Sequence, residues 1–241
     1  MSMTLRSLSL FGVVTGIVML GVSPARATLA GTLSVLPGQT IATSPPPVGD
    51  ATGDATGLLL ADEVEKFSFT TSSGVFKGTL ESAVYQESGG TLDFYYQVNN
   101  MSTSTSGTPD TVEHANGSNF VGFTTAAGYR RDGGFAGTTF TASNLTPDTA
   151  NRTVSGSVVE FNYNVFGIVP DDIPTGSSTS VLVISTNAKK FVAGNASAID
   201  SATTTVPSFQ PAAVPEPGSI TLLGSILFGI AAIARRRLLS R

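Results

Sequence analysis

The sequence predicts an all-β body, most simply an antiparallel two-sheet β-sandwich (jelly-roll or immunoglobulin-like). It is flanked by an N-terminal signal helix and a C-terminal transmembrane helix. Three observations predict this. Between residues 58 and 205 the apolar residues recur in short runs with period two. Gly, Ser and Thr fill the gaps between those runs, and no segment of the middle sustains a period of 3.6. The two ends differ in kind, each carrying one long apolar run beside arginine.

The N-terminus has the order of a secretory signal. Arg6 supplies a short positive region, residues 8–22 are apolar, and Pro24 breaks the helix. Ala25 and Ala27 supply the small side chains that signal peptidase accepts, so the cut is expected after Ala27. At the other end, Val214-Pro215-Glu216-Pro217-Gly218 is stiff and turn-prone, and residues 220–234 follow without a charge. Arg235, Arg236 and Arg237 come next, and Arg241 closes the chain. The apolar run would be about 22 Å long as a helix, and can span a ~30 Å core with local thinning and snorkelling arginines. Positive charge stays inside, which places this terminus in the cytoplasm and the body outside.

After a signal peptide at 1–27, four segments are expected: a Pro/Gly-rich lead at 28–57, the sandwich at 58–205, a stalk at 206–214 and the terminal signal at 215–241. The lead contains three consecutive prolines at 45–47 and the repeat GDATGDATG at 49–57. In the sandwich, residues 66–70 alternate, as do 78–86 and 91–99. Leu92, Phe94, Tyr96 and Val98 share one face, and Asp93, Tyr95 and Gln97 the other. The Gly-Gly pair at 89–90 makes a hairpin of the last two runs. Residues 119–126 are expected as a strand with Val121 and Phe123 on one face, and 135–141 as a weaker, edge-like strand. Residues 153–166 form the longest run, with Val159, Phe161, Tyr163 and Val165 opposite Glu160, Asn162 and Asn164. Residues 181–184 are apolar on both faces and read as a central strand.

Composition excludes several classes of function. Cys is absent and His114 is the one histidine, so thiolate catalysis, disulfides and Cys- or His-clustered metal sites are ruled out. Residues 28–217 hold all 17 acidic residues against seven basic ones (Lys66, Lys77, Arg130, Arg131, Arg152, Lys189 and Lys190), a net charge of −10. Nucleic acid is not an expected partner of so acidic a body.

The terminal motif resembles the PEP-CTERM sorting signal of Gram-negative bacteria. Pro215, Glu216 and Pro217 match its tripeptide, and Arg235, Arg236 and Arg237 match its basic tail. The match covers residues 214–241. The resemblance implies that exosortase, an integral-membrane cysteine protease, reads the tripeptide and removes the tail. It also implies a protein of the cell surface or extracellular matrix, associated with exopolysaccharide and biofilm. Parts of the body, among them residues 92–98 and 180–187, are loosely similar to extracellular β proteins that carry this signal.

Candidate chemistry is sparse. His114 beside Glu113 would have to serve as the base of a Ser–His–Asp hydrolase, but the chain has no Gly-x-Ser-x-Gly elbow, and a surface loop is the simpler reading. Asp171 and Asp172, between Pro170 and Pro174, could bind calcium, as could Asp50 and Asp54 in the Gly-rich repeat; solvated turns are the alternative. Asp93, Glu160 and Glu81 could line one sugar-cleaving groove. Tyr85, Tyr95, Tyr129 and Tyr163 are the available stacking rings, and most are expected to pack instead. Hydroxyl-rich loops at 102–108 and 201–205 could carry O-linked glycans or simply keep the surface soluble.

The expected protein is therefore not an enzyme and needs no cofactor. It is exported, held transiently in the inner membrane, and delivered to the surface in a structural or adhesive role. Its expected partners are signal peptidase, exosortase, the membrane and exopolysaccharide. The rival expectation is a secreted carbohydrate-binding or carbohydrate-active sandwich, calcium-dependent or not.

Overall fold

The computed structural model describes residues 29–44, 48–70, 74–104, 113–163, 173–200 and 202–212. Two antiparallel sheets face each other, and the described residues contain no helix. The expected terminal helices, the sorting tripeptide, the arginine cluster, the Ala25–Ala27 site and the Asp171–Asp172 pair all lie outside the described residues.

The first sheet runs in the order β1 (Leu33–Ser34), β8 (Thr125–Arg130), β11 (Val181–Thr186), β5 (Leu92–Asn100), β4 (Gly74–Gln86) and β3 (Leu58–Thr70). The short β6 (Thr103–Ser104) pairs with the far end of β4. The β4–β5 hairpin turns where the glycine pair predicts it. Gly90 sits at φ +75°, a conformation that a Cβ would strain, and its amide donates to the Glu87 carbonyl at 2.7 Å. The alternation of β5 holds, since Leu92, Phe94, Tyr96 and Val98 enter the core between the sheets. β11 is central and buried on both faces, as its apolar run implies. β3 stands at the edge, and among the described residues it pairs only with β4.

The second sheet runs in the order β13 (Ala202–Pro211), β12 (Phe191–Asp200), β7 (His114–Gly117), β10 (Val159–Asn162), β9 (Thr149–Arg152) and β2 (Thr40–Ala42). Its inner face mixes small residues with a few large ones: Ala115, Ala150, Ala196 and Ala198 are all buried beside Val159, Phe161 and Val206. The alanines leave room for the large rings of the first sheet. At Gly117 an added Cβ would stand 2.8 Å from the Tyr96 hydroxyl, so the strand needs glycine there to let the ring lie against it. The Tyr96 hydroxyl donates to the Phe209 carbonyl at 3.2 Å and ties the two sheets together.

Several sequence expectations are corrected. Residues 119–124 form a turn, not a strand: Asn119 has φ +66°, Gly122 has φ +82°, and Val121 is exposed. The strand begins only at Thr125. Residues 135–141 form no strand; they cross the outer face of the first sheet as a loop. The long run at 153–166 shrinks to β10, because residues 153–158 are the β9–β10 turn, with Gly156 at φ +73°. Within β10 the face assignment stands, with Val159 and Phe161 fully buried and Glu160 half-buried; Val165 and Asn164 lie outside the described residues. The lead supplies β1 to one sheet and β2 to the other. The residues taken for a stalk pair with β12 as far as Pro211. Pro207 is tolerated because β13 is an edge strand.

The turns around β9 are held by Arg152, which is nearly fully buried. Its Nη2 donates to the carbonyls of Phe120 (2.7 Å), Phe123 (2.9 Å) and Gly156 (3.0 Å).

Candidate functional site

The residues singled out by sequence do not converge. Glu160 lies on the outer face of the second sheet, whereas Glu81 and Asp93 lie on the outer face of the first, with the core between them. A single sugar-cleaving groove lined by all three is thereby overturned. His114 sits on strand β7 rather than in a loop, half-buried, with Nδ1 2.6 Å from Asn162 Oδ1. Glu113 and Glu160 approach the ring only at 3.9 and 4.0 Å. The Asp50 carboxylate is taken up by Arg131 at 2.7 Å and by the amide and hydroxyl of Thr52. It closes the repeat onto the end of β8 instead of reaching for calcium with Asp54. Among the described residues no three of His, Cys, Asp and Glu gather as a metal centre. Thr203, Thr204 and Thr205 belong to strand β13, not to a loop. Ser102 is buried against Lys77, whose amide donates to its Oγ at 3.1 Å.

What sequence reasoning misses is a third layer. Residues 131–148 fold across the outer face of the first sheet and close a second apolar cluster. Tyr85, Tyr95, Phe140, Val181 and Val183 form it, with Phe135 at its margin. Tyr85 and Tyr95 stack with centroids 4.6 Å apart, and Phe135 meets Tyr95 edge-on at 6.0 Å. The Arg130 guanidinium lies 4.4 Å above the Phe135 ring and grips Asp132 through two hydrogen bonds of 3.0 and 2.8 Å. Burial opposes the Asp132 charge, but the Arg130 pair and the Gly53 amide prevail and hold its carboxyl below the usual range.

Two polar side chains of the sheet fasten this loop. Glu81 accepts from the Thr139 amide and hydroxyl, both at 2.6 Å. Gln97 donates to the carbonyls of Thr141 and Thr179, both at 2.7 Å, and accepts from the Thr141 amide at 2.8 Å. Of the strand acids read as candidate catalysts, Glu81 is the one that fastens this loop. Partial burial and then the neighbouring Glu81 push Asp62, on β3, up to about 6. Asp93 is fully buried, and that burial together with Glu87 pushes it up to about 8.

Among several open concavities, one of about 340 Å3 lies on the first sheet across β3 and β4. It is lined by Lys66, Ser68, Lys77, Thr79 and Met101, with Lys66 paired to Thr79 and Ser68 to Lys77, so both lysines present on one face. Two cations beside a thioether can hold an anionic ring, such as an acidic sugar. No family model matches the chain, and comparison with curated proteins and with solved structures yields no significant match.

Proposed function

We propose that the protein is an exported, structural or adhesive component of the cell surface or extracellular matrix, sorted by exosortase through a C-terminal PEP-CTERM signal and associated with exopolysaccharide. The observation that carries this reading is the order Pro215-Glu216-Pro217, apolar run, Arg235-Arg236-Arg237, behind an Ala-x-Ala signal sequence. An acidic β-sandwich supports it, since such a body suits a spacer or adhesin outside the cell. β13 ends at Pro211, four positions before Pro215. Within the sandwich class we favour the jelly roll, because the chain passes repeatedly from one sheet to the other instead of completing each in turn.

The test is processing in a host that has exosortase. Pro215→Ala combined with Glu216→Ala should leave export intact and block removal of the tail, so a slightly larger membrane-bound form accumulates. Processing at the wild-type rate would make the tripeptide a mere spacer and remove the main support. The lysine-lined concavity favours a second reading, a carbohydrate-binding module for acidic glycans. A glycan array run with and without chelator on wild type and on Lys66→Ala with Lys77→Ala separates the two. Binding that the double variant abolishes supports the module.

A further inference from the structure

The hairpin end of β4 and β5 gathers oxygen atoms that the protein itself leaves without partners. Tyr85 is the cross-strand neighbour of Asp93, and Asp93 is the neighbour of Ser185 on the other side. Glu87 lies two residues beyond Tyr85, and Thr91 two before Asp93, so by strand alternation all four polar side chains share the outer face at one end of the sheet. The turn is closed by the Glu87 amide, which donates to the Thr91 carbonyl at 2.9 Å. Asp93 is 0 % exposed, Ser185 2 % and Thr91 7 %. Both carboxylate oxygens of Asp93, one of Glu87 and the hydroxyl oxygens of Thr91 and Ser185 are buried without a hydrogen-bond partner.

Buried polar groups in native proteins are hydrogen-bonded, and buried charges are paired or bound to metal. Neither Asp93 nor Glu87 takes part in an ion pair among the described residues. Lys189, four residues beyond Ser185, donates from its ammonium to the Gly89 carbonyl at 2.7 Å and pairs with neither carboxylate. A proton shared between the two carboxyls, with the Ser185 hydroxyl turned onto Asp93, would answer their mutual repulsion, but it would leave the Thr91 hydroxyl unserved. A cation answers all of them at once. The donor set is oxygen only, with no nitrogen or sulfur, which selects a hard ion. Calcium, which takes about 6–8 oxygens, can draw on these and complete its shell with water.

We propose that Glu87, Thr91, Asp93 and Ser185 form a binding site for a hard divalent cation, calcium in the first place, which braces the β4–β5 hairpin against β11. The site uses none of Asp50, Asp54, Asp171 or Asp172, and it stands whether or not the sorting proposal does.

The test uses the full chain, stripped with chelator and then given calcium, magnesium or terbium chloride. The chain has no Trp, so terbium luminescence excited through tyrosine reports a metal close to Tyr85 and Tyr95. Wild type should show luminescence that calcium displaces, and a Tm that rises with calcium between about 0.1 and 10 mM, the range of extracellular modules. Asp93→Asn and Glu87→Gln should each abolish both responses, and Ser185→Ala should raise the Kd about tenfold. Glu160→Gln, on the other sheet, should respond as wild type. Because Asp93→Asn sits in the core, Glu87→Gln at the half-buried hairpin keeps the test decisive if the first variant fails to fold. No response of wild type to calcium or magnesium at about 10 mM, or an unchanged response in Glu87→Gln, overturns the site.

Discussion

Phe161 and Glu160 are adjacent in sequence and opposite in environment, the first fully buried in the core and the second half-buried outside it. Phe161→Ala should cost about 3–5 kcal/mol in chemical denaturation, and Glu160→Ala less than about 1 kcal/mol. Equal losses would contradict the register of β10. That contrast was legible in the sequence, because alternation alone decides it. Arg152 was not legible: nothing in the chain says that one of seven body bases turns inward to serve three carbonyls. Arg152→Met keeps much of the volume and removes the donors. It should lower stability by about 2–4 kcal/mol, since each orphaned carbonyl costs about 1–3. A loss below 1 kcal/mol would mean that water replaces the guanidinium. The same invisibility applies to Asp93, which alternation alone assigns to an outer, solvated face. It is fully buried nonetheless, because alternation reports the face of the sheet and not what comes to cover that face.

At the scale of elements, what was legible depended on side-chain size. β4, β5 and β11 are rich in large apolar residues and announce themselves. β12 and β13 do not, since the buried inner positions of β12 are Ala196 and Ala198, β13 turns in only Val206 and Ser208 beside Pro207, and proline argues against a strand. Their apolar quality is complementary, as small residues fit where Tyr96 and Phe94 already fill the core. Residues 135–141 mislead in the opposite direction. Their aromatic residues suggest an edge strand, yet they are a lid on a sheet whose Glu81 and Gln97 hold it down. Glu81→Ala should therefore unfasten the loop while the sandwich persists. Amide exchange at Thr139 should accelerate by an order of magnitude or more, because a hydrogen bond to a charged acceptor is worth about 1.5–3 kcal/mol. Exchange in β11 should not change. Acceleration in both would show that the loop and the sandwich unfold as one unit.

The whole molecule is acidic, and β3 concentrates that acidity at the boundary of the fold. Among the described residues the strand is hydrogen-bonded along one side only, to β4, with Leu58, Leu60, Val64 and Phe69 exposed among Asp62, Glu63, Glu65 and Lys66. A long open edge is a template for another chain, and charge along it is the usual protection. Here the protection is titratable. Asp62 is held up to about 6 in the folded state, above its unfolded value, and Glu63 is also raised. A carboxyl shifted upward contributes stability that is complete below its unfolded pKa and is lost as pH rises through the folded one. Neutral pH thus costs the fold a little stability and keeps the edge charged. Between about pH 7 and 5 the guard at Asp62 discharges, and light scattering should show the protein passing from single chains to lateral assemblies. Asp62→Lys should abolish that passage, and a wild-type protein that stays monodisperse down to pH 5 would refute it. A secreted chain with such an edge would remain dissolved in a buffered medium and polymerise strand to strand where metabolism sours its surroundings.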